Sequence, residues 1–80
     1  MPHPPRHSRP TIRLRAHALH EAFSTRGILT EVGRAQALGV DRHTLRRAQS
    51  DTATPGPELV AAVLIHFPNR PFEDFFAVTW

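Results

Sequence analysis

The sequence predicts a small all-α domain of five short helices, and three features of the chain indicate this class. Apolar residues recur at intervals of three and four along most of the chain, which is the spacing of residues on one helix face. Glycine or proline separates most of these apolar segments, as is typical of the ends and beginnings of helices. The 80 residues include no cysteine, so disulfide bonds cannot supplement the small core, and helix packing has to stabilise it.

Residues 1–10 are expected to form a flexible or extended arm ahead of a single domain, residues 11–80. The arm contains four prolines and has no apolar periodicity. It lacks the apolar segment of a secretory signal, and no run in the chain approaches the roughly 18 apolar residues that span a bilayer. We therefore expect a cytoplasmic protein without a membrane segment.

The first helix is predicted to begin with Thr11 as its N-cap and to stop at Gly27. Regular spacing by four, three and four positions is the evidence for it. The apolar residues that form this inward face are Ile12, Ala16, Leu19 and Phe23.

Gly39 separates a second helix from a third. Thr30 is a suitable N-cap for the second helix, and Asp41 is a suitable N-cap for the third, residues 41–49. The inward residues of these two helices are Val32, Ala35, Leu38, Leu45 and Ala48. Glycine inside a helix costs roughly 1 kcal/mol relative to alanine. Gly39 therefore favours a left-handed turn between two helices, and residues 30–49 are predicted to form a helix-turn-helix.

A fourth helix is predicted to begin at Pro57 and to end at Pro68. Proline suits the first position of a helix, and residues 59–67 are apolar on almost every side. This helix is therefore expected to be the most buried element of the domain.

A short fifth helix is predicted after Pro71, and it carries a cluster of phenylalanines. Beyond it, residues 76–80 alternate between larger apolar and smaller side chains, which favours a short strand at the C-terminus. The cluster is large for so small a domain to bury alone, so we expect a homodimer. The residues expected at this interface are Phe72, Phe76, Val78 and Trp80.

Positive charge is concentrated in the first part of the chain. Residues 1–50 hold nine of the ten arginines but only three of the seven acidic residues, so their net formal charge is +6. Residues 51–80 hold one arginine and four acidic residues, so their net formal charge is −3. All the basic residues are arginines, whose planar guanidinium group binds phosphates and guanine edges through two hydrogen bonds. The asymmetry indicates a surface for a polyanion in the first part. A genome rich in G and C is an alternative explanation for the missing lysine.

The third helix is the best candidate for DNA contact. The major groove, about 12 Å wide, admits one helix, and the residues near the helix start lie closest to the base edges. We therefore expect base contacts from Asp41, Arg42, His43 and Arg46. Asp41 has two candidate roles, as a helix cap and as an acceptor for a cytosine amino group. The alternative is a solvated charged face on a purely structural helix.

Further polar residues are expected to contact the DNA backbone: Thr30, Arg34, Thr44, Arg47, Arg13 and Arg15. Arg6 and Arg9 lie in the arm, which is suited to following a minor groove. The alternative for the arm is an untethered tail with incidental charge. Histidines at positions 3, 7, 17 and 20 are not expected to bind a metal, because no cysteine and no carboxylate pattern accompany them.

Residues 29–55, LTEVGRAQALGVDRHTLRRAQSDTATP, resemble the Cro/cI-like (XRE) helix-turn-helix family of phage and bacterial regulators. The pattern of that family is approximately LTQxxLAxxLGVSxxTISRxExGxxxP. The chain follows it without a gap at Leu29, Thr30, Ala35, Leu38, Gly39, Val40, Thr44, Leu45 (in place of Ile), Arg47 and Pro55. The resemblance implies a compact five-helix lambda-repressor-like domain, over about residues 11–76, that binds double-stranded DNA.

The chain departs from this pattern at several positions. Glu31 replaces a glutamine that helps to position the DNA backbone in relatives, and a carboxylate there would repel phosphate; Glu31 is alternatively suited to hold an arginine of the recognition helix. Arg34 replaces a leucine, so a core position is lost or the arginine stem covers it. Gln49 replaces a glutamate, and Ser50-Asp51 replaces an Asn-x or Asn-Gly turn.

The function expected from these features is that of a transcriptional regulator, a repressor of phage or bacterial type that inserts helix 41–49 into the major groove of its operator. The chain shows no nucleophile–base pair and no paired carboxylates, so we expect neither an enzyme nor a cofactor. Two alternatives remain open. One is an antitoxin or recombination-directionality factor whose acidic, aromatic C-terminal half engages a protein partner. The other is a helix-turn-helix scaffold that serves protein–protein contact only.

Overall fold

A computed structural model of the chain describes residues 9–79. These residues form five helices and a two-stranded antiparallel sheet, so the domain is mostly α. The elements in chain order are β1 (Thr11–Leu14), α1 (Ala16–Thr25), α2 (Glu31–Leu38), α3 (Arg42–Gln49), α4 (Pro57–His66), α5 (Phe72–Phe75) and β2 (Phe76–Thr79). Most of the expected arm, including Arg6, and the C-terminal Trp80 lie outside the described residues.

The segment before α1 is a strand, so the prediction that the first helix begins at Thr11 is wrong. β1 pairs antiparallel with β2, and Leu14 lies opposite Phe76 with both side chains buried. The N-cap position of α1 is Arg15, whose backbone N–H donates to the carbonyl of Phe75 at 2.7 Å. Pairing with the far end of the chain provides hydrogen bonds that a helical segment 11–15 would have made internally.

The C-terminal strand that the alternation favours is present. β2 follows α5 directly, and its first residue, Phe76, is 1% exposed in the core. The expectation that Phe76 lies at a dimer interface is therefore wrong, because its ring is already covered within one chain. Val78, two residues further along β2, is 62% exposed.

The turn between α2 and α3 has the predicted geometry. Gly39 has a φ of +70°, and the backbone N–H of Val40 reaches back to the carbonyl of Ala35 at 3.0 Å. At the other end of α2, the Thr30 hydroxyl accepts a hydrogen bond from the N–H of Gly33 at 3.0 Å. These two contacts fix where α2 begins and ends.

Gly33 lies close to the side chains of Thr30 and Ile28. A Cβ atom at this position would lie 2.9 Å from the Thr30 hydroxyl oxygen and 3.3 Å from a methyl group of Ile28. The absence of a side chain thus allows the cap and the preceding loop to approach the first turn of α2.

One core joins all the helices and the sheet. Its buried apolar residues are Leu14, Leu19, Ala22, Phe23, Ala35, Leu38, Leu45, Ala48, Leu59, Val63, Phe67, Phe75 and Phe76. Within α4 itself, Leu59 and Val63 are buried, whereas Ile65 is 77% exposed. The expectation that α4 is the most buried element is wrong, because α4 buries two residues where α1, of the same length, buries three. Among the described residues, no helix is long and apolar enough to cross a membrane.

Candidate nucleic-acid interface

The polar and cationic side of α3 is exposed, while its apolar side is anchored in the core. Leu45 is fully buried and Ala48 is 2% exposed. The exposed residues of the helix are Arg42, His43, Thr44, Arg46 and Arg47. At about 100° per residue, the three arginines and His43 span about 140° of the helix surface, away from Leu45 and Ala48. The structure therefore brings the predicted cationic residues of α3 to one side of one helix.

Asp41 occupies the N-cap position of α3, as predicted, and is exposed. Its carboxylate makes no capping hydrogen bond with the described residues of the chain, and Leu45 N–H bonds to the Asp41 carbonyl at 3.1 Å. The side chain is therefore not engaged in the cap. Asp41 is exposed next to Arg42 and His43, which are exposed too.

An ion pair links the first residue of α2 to α3. Nε of Arg46 donates to Oε1 of Glu31 at 3.0 Å, and both side chains remain partly exposed. Glu31 thus holds an arginine of the third helix, which confirms that interpretation of its place in the sequence. Arg46 differs in this respect from Arg42 and Arg47, which form no ion pair with the described residues.

Arg34 lies inside the protein, so the expectation that it contacts the DNA backbone is wrong. It is 6% exposed, and its guanidinium group donates to the carbonyl of Ile28 at 2.9 Å and to the hydroxyl of Ser24 at 3.2 Å. A third contact, with Nδ1 of His20, measures 2.8 Å. The stem is buried, and the polar end is turned inward to partners on α1 and the loop that follows it. Two other residues expected to contact the DNA backbone, Thr30 and Thr44, are exposed within the helix-turn-helix.

Arg13 on β1 and Arg15 directly after it have different hydrogen-bond partners. Arg13 Nε donates to Oδ1 of Asp51 at 3.2 Å, and its Nη2 donates to the other carboxylate oxygen. This hydrogen bond, together with the charge of Asp51, raises the pKa of Arg13 above its ordinary value. Arg15 Nε donates to the carbonyl of Glu73 at 3.1 Å, at α5. Arg13 therefore lies beside the end of α3, whereas Arg15 is held at α5; Arg9 is exposed before β1.

The ion pair of Asp51 with Arg13 is not predicted from the sequence, although the residue type of Asp51 suits a turn. Asp51 has a φ of +62°, and it lies in the turn that follows the end of α3 at Gln49. Aspartate tolerates this left-handed conformation better than most residues do. The turn aims the carboxylate at Arg13, 38 positions earlier in the chain, and connects β1 to the end of α3.

The two histidines of α1 have separate partners. Nε2 of His17 lies 3.0 Å from Oε1 of Glu21 on the surface, while Nδ1 of His20 is directed at Arg34. Within residues 9–79, histidines and carboxylates do not gather in groups of three or more that could hold a metal ion.

Comparison of the chain with models of protein families, with curated proteins and with solved structures gave no match. The functional interpretation therefore depends on the geometry of α2, the turn at Gly39 and α3.

Proposed function

We propose that this protein binds double-stranded DNA in a sequence-specific manner and regulates transcription as a repressor of phage or bacterial type. One observation carries the proposal: α3 follows a sharp glycine turn, is anchored by Leu45 and Ala48, and exposes Arg42, His43 and Arg47 on its outer side. A helix with these properties suits the major groove, where guanidinium groups bind guanine through two hydrogen bonds.

The arrangement of the other elements is compatible with this docking. α2 lies against α3 on the far side of the turn, and its exposed cap residue, Thr30, is suited to a phosphate contact. The proposed fold is lambda-repressor-like, with the addition of the β1–β2 sheet. In this proposal Arg42 and His43 read base edges, and Arg47 and Thr44 contact the backbone.

We further propose that two copies associate through β2. Within the described residues, β1 pairs with one edge of β2, and the other edge is unpaired. Val78 on this strand is 62% exposed, and an exposed apolar edge strand favours pairing with a second strand. A two-fold dimer would place its two recognition helices on half-sites about one helical turn apart.

Recovery of bound duplexes from a random-sequence pool tests the function. The expected result is an enriched motif, arranged as a palindrome if the protein is a dimer. A gel shift with the enriched duplex at two salt concentrations should then give a discrete complex that survives competitor DNA. Enrichment of no motif, together with no binding at low salt, would overturn the proposal and favour a scaffold for protein–protein contact.

A further inference from the structure

Glu31 occupies an unusual position for a carboxylate beside a proposed DNA-binding surface. It is the first residue of α2, directly after the Thr30 cap, and its Oε1 accepts the hydrogen bond from Nε of Arg46. The side chain of Arg46 is 55% exposed and that of Glu31 is 35% exposed. The pair therefore lies at the rim of the α2–α3 surface, accessible to solvent and to a large ligand.

We infer that Glu31 competes with a DNA phosphate for Arg46 and thereby weakens the sequence-independent attraction of the protein to DNA; this inference rests on the proposed function. A carboxylate and a phosphate oxygen are alternative acceptors for the same guanidinium donors. An ion pair this exposed is weak enough to be exchanged for another anion. Glu31 thus lowers the affinity of the protein for the backbone of any duplex, whereas Arg42 and His43 remain available to the bases.

The competition has a measurable electrostatic signature. Each DNA phosphate that a cationic side chain neutralises releases condensed counterions, and log affinity falls with log salt with a slope of about −0.9 per contact. Arg46 is already compensated by Glu31 in the free protein. Glu31→Gln removes this compensation and leaves an uncharged oxygen in place, so Arg46 gains a full phosphate contact.

The experiment measures the affinity of the full chain for two labelled duplexes over a range of salt concentrations. One duplex has an arbitrary sequence, and the other is the motif enriched by selection. Compared with the parent, Glu31→Gln should bind both duplexes more tightly at low salt. Its salt slope should be steeper by about 0.9, so that it loses about 3.5-fold more affinity than the parent between about 50 and 200 mM salt.

Asp74→Asn is the matched control. Asp74 also accepts a hydrogen bond from the Nε of an arginine, Arg70, at 2.5 Å, and the substitution changes the net charge by the same amount. It lies on α5, which packs against α1 and β2. Asp74→Asn should leave the salt slope at the parental value, and thermal unfolding of both variants verifies that the fold is intact.

Arg46→Gln, alone and combined with Glu31→Gln, separates competition for Arg46 from simple repulsion of DNA by Glu31. The steeper slope should disappear in the Arg46→Gln background. The inference is overturned if Glu31→Gln matches Asp74→Asn, if it binds less tightly than the parent, or if its effect persists without Arg46. Absence of binding by the parent and all variants at low salt would instead overturn the proposed function, and this inference with it.

Discussion

Nη1 of Arg34 on α2 lies 2.8 Å from Nδ1 of His20 on α1. A guanidinium group can only donate, so His20 accepts this hydrogen bond on an unprotonated Nδ1. With Ile28 and Ser24 as further acceptors, the cluster connects α1 to α2 behind the helix-turn-helix. A residue that charge alone suggested for DNA contact thus serves the packing of the domain.

Replacement of Arg34 should therefore affect stability and not DNA affinity. Arg34→Ala removes the buried stem and leaves a cavity, which we expect to lower the free energy of unfolding by about 2–4 kcal/mol. Arg34→Leu restores apolar volume at this position and should have a larger free energy of unfolding than the alanine variant. Chemical denaturation measures both effects.

DNA binding by Arg34→Leu provides the complementary measurement. The affinity for the selected duplex should stay within about twofold of the parent, because the guanidinium group is not at the surface. A loss of tenfold or more would show that Arg34 leaves its buried site to contact DNA.

The sequence correctly predicts those features of the fold that depend on residues close together in the chain. Gly39 and Thr30 act on backbone within four residues of themselves, so the turn and the α2 cap could be derived from residue type. β1 was missed because its partner, β2, is at the other end of the chain, and Ile12 and Leu14 fit a strand as well as a helix in so short a segment. The inward orientation of Arg34 depends on acceptors that α1 and the loop after it provide, and no local pattern reveals them.

Arg42→Ala tests α3 as the DNA-reading helix. We expect a loss of about 1–3 kcal/mol in binding to the selected duplex and weaker discrimination at one base pair, because one guanidinium–base contact is removed. Arg70→Ala is the control, since it removes the same charge from an arginine that is paired with Asp74. Titration of both variants with single-base-pair variants of the duplex should show a changed base profile for Arg42→Ala alone. Identical profiles would exclude Arg42 as a base-reading residue.

Val78→Lys tests association through β2. Because Val78 is 62% exposed, the substitution should preserve the fold, and the charge on the strand edge should convert dimer to monomer in sedimentation experiments. Phe76→Ala serves as the contrast. This residue is 1% exposed, and we expect its loss to destabilise the fold by about 3–5 kcal/mol at any protein concentration. A parent protein that sediments as a monomer, or a Val78→Lys variant that remains a dimer, would contradict this interface.

His66 should make the stability of the domain sensitive to acid. Its ring packs against Phe23 and Phe67, with centroids 5.4 and 5.0 Å away, and its Nε2 is buried without a hydrogen-bond partner among the described residues. Burial, and secondarily the charge of Arg26, lowers the pKa of His66 below its ordinary value of 6.5. Between the folded pKa and 6.5 the unfolded chain therefore binds a proton that the folded chain does not, so the free energy of unfolding falls as the pH decreases from 6.5 to the folded pKa.

His66→Phe should reduce this loss of stability, because an aromatic ring remains in the same place without a titratable nitrogen. Unfolding free energies of the parent and the variant, measured at pH 8 and pH 5, give the comparison, and acid effects common to both proteins cancel in the difference. His17→Gln is the control, because the side chain of His17 is 85% exposed. The smaller dependence on pH should be specific to His66→Phe. An equal loss of stability in all three proteins would show that protonation of His66 is not coupled to unfolding.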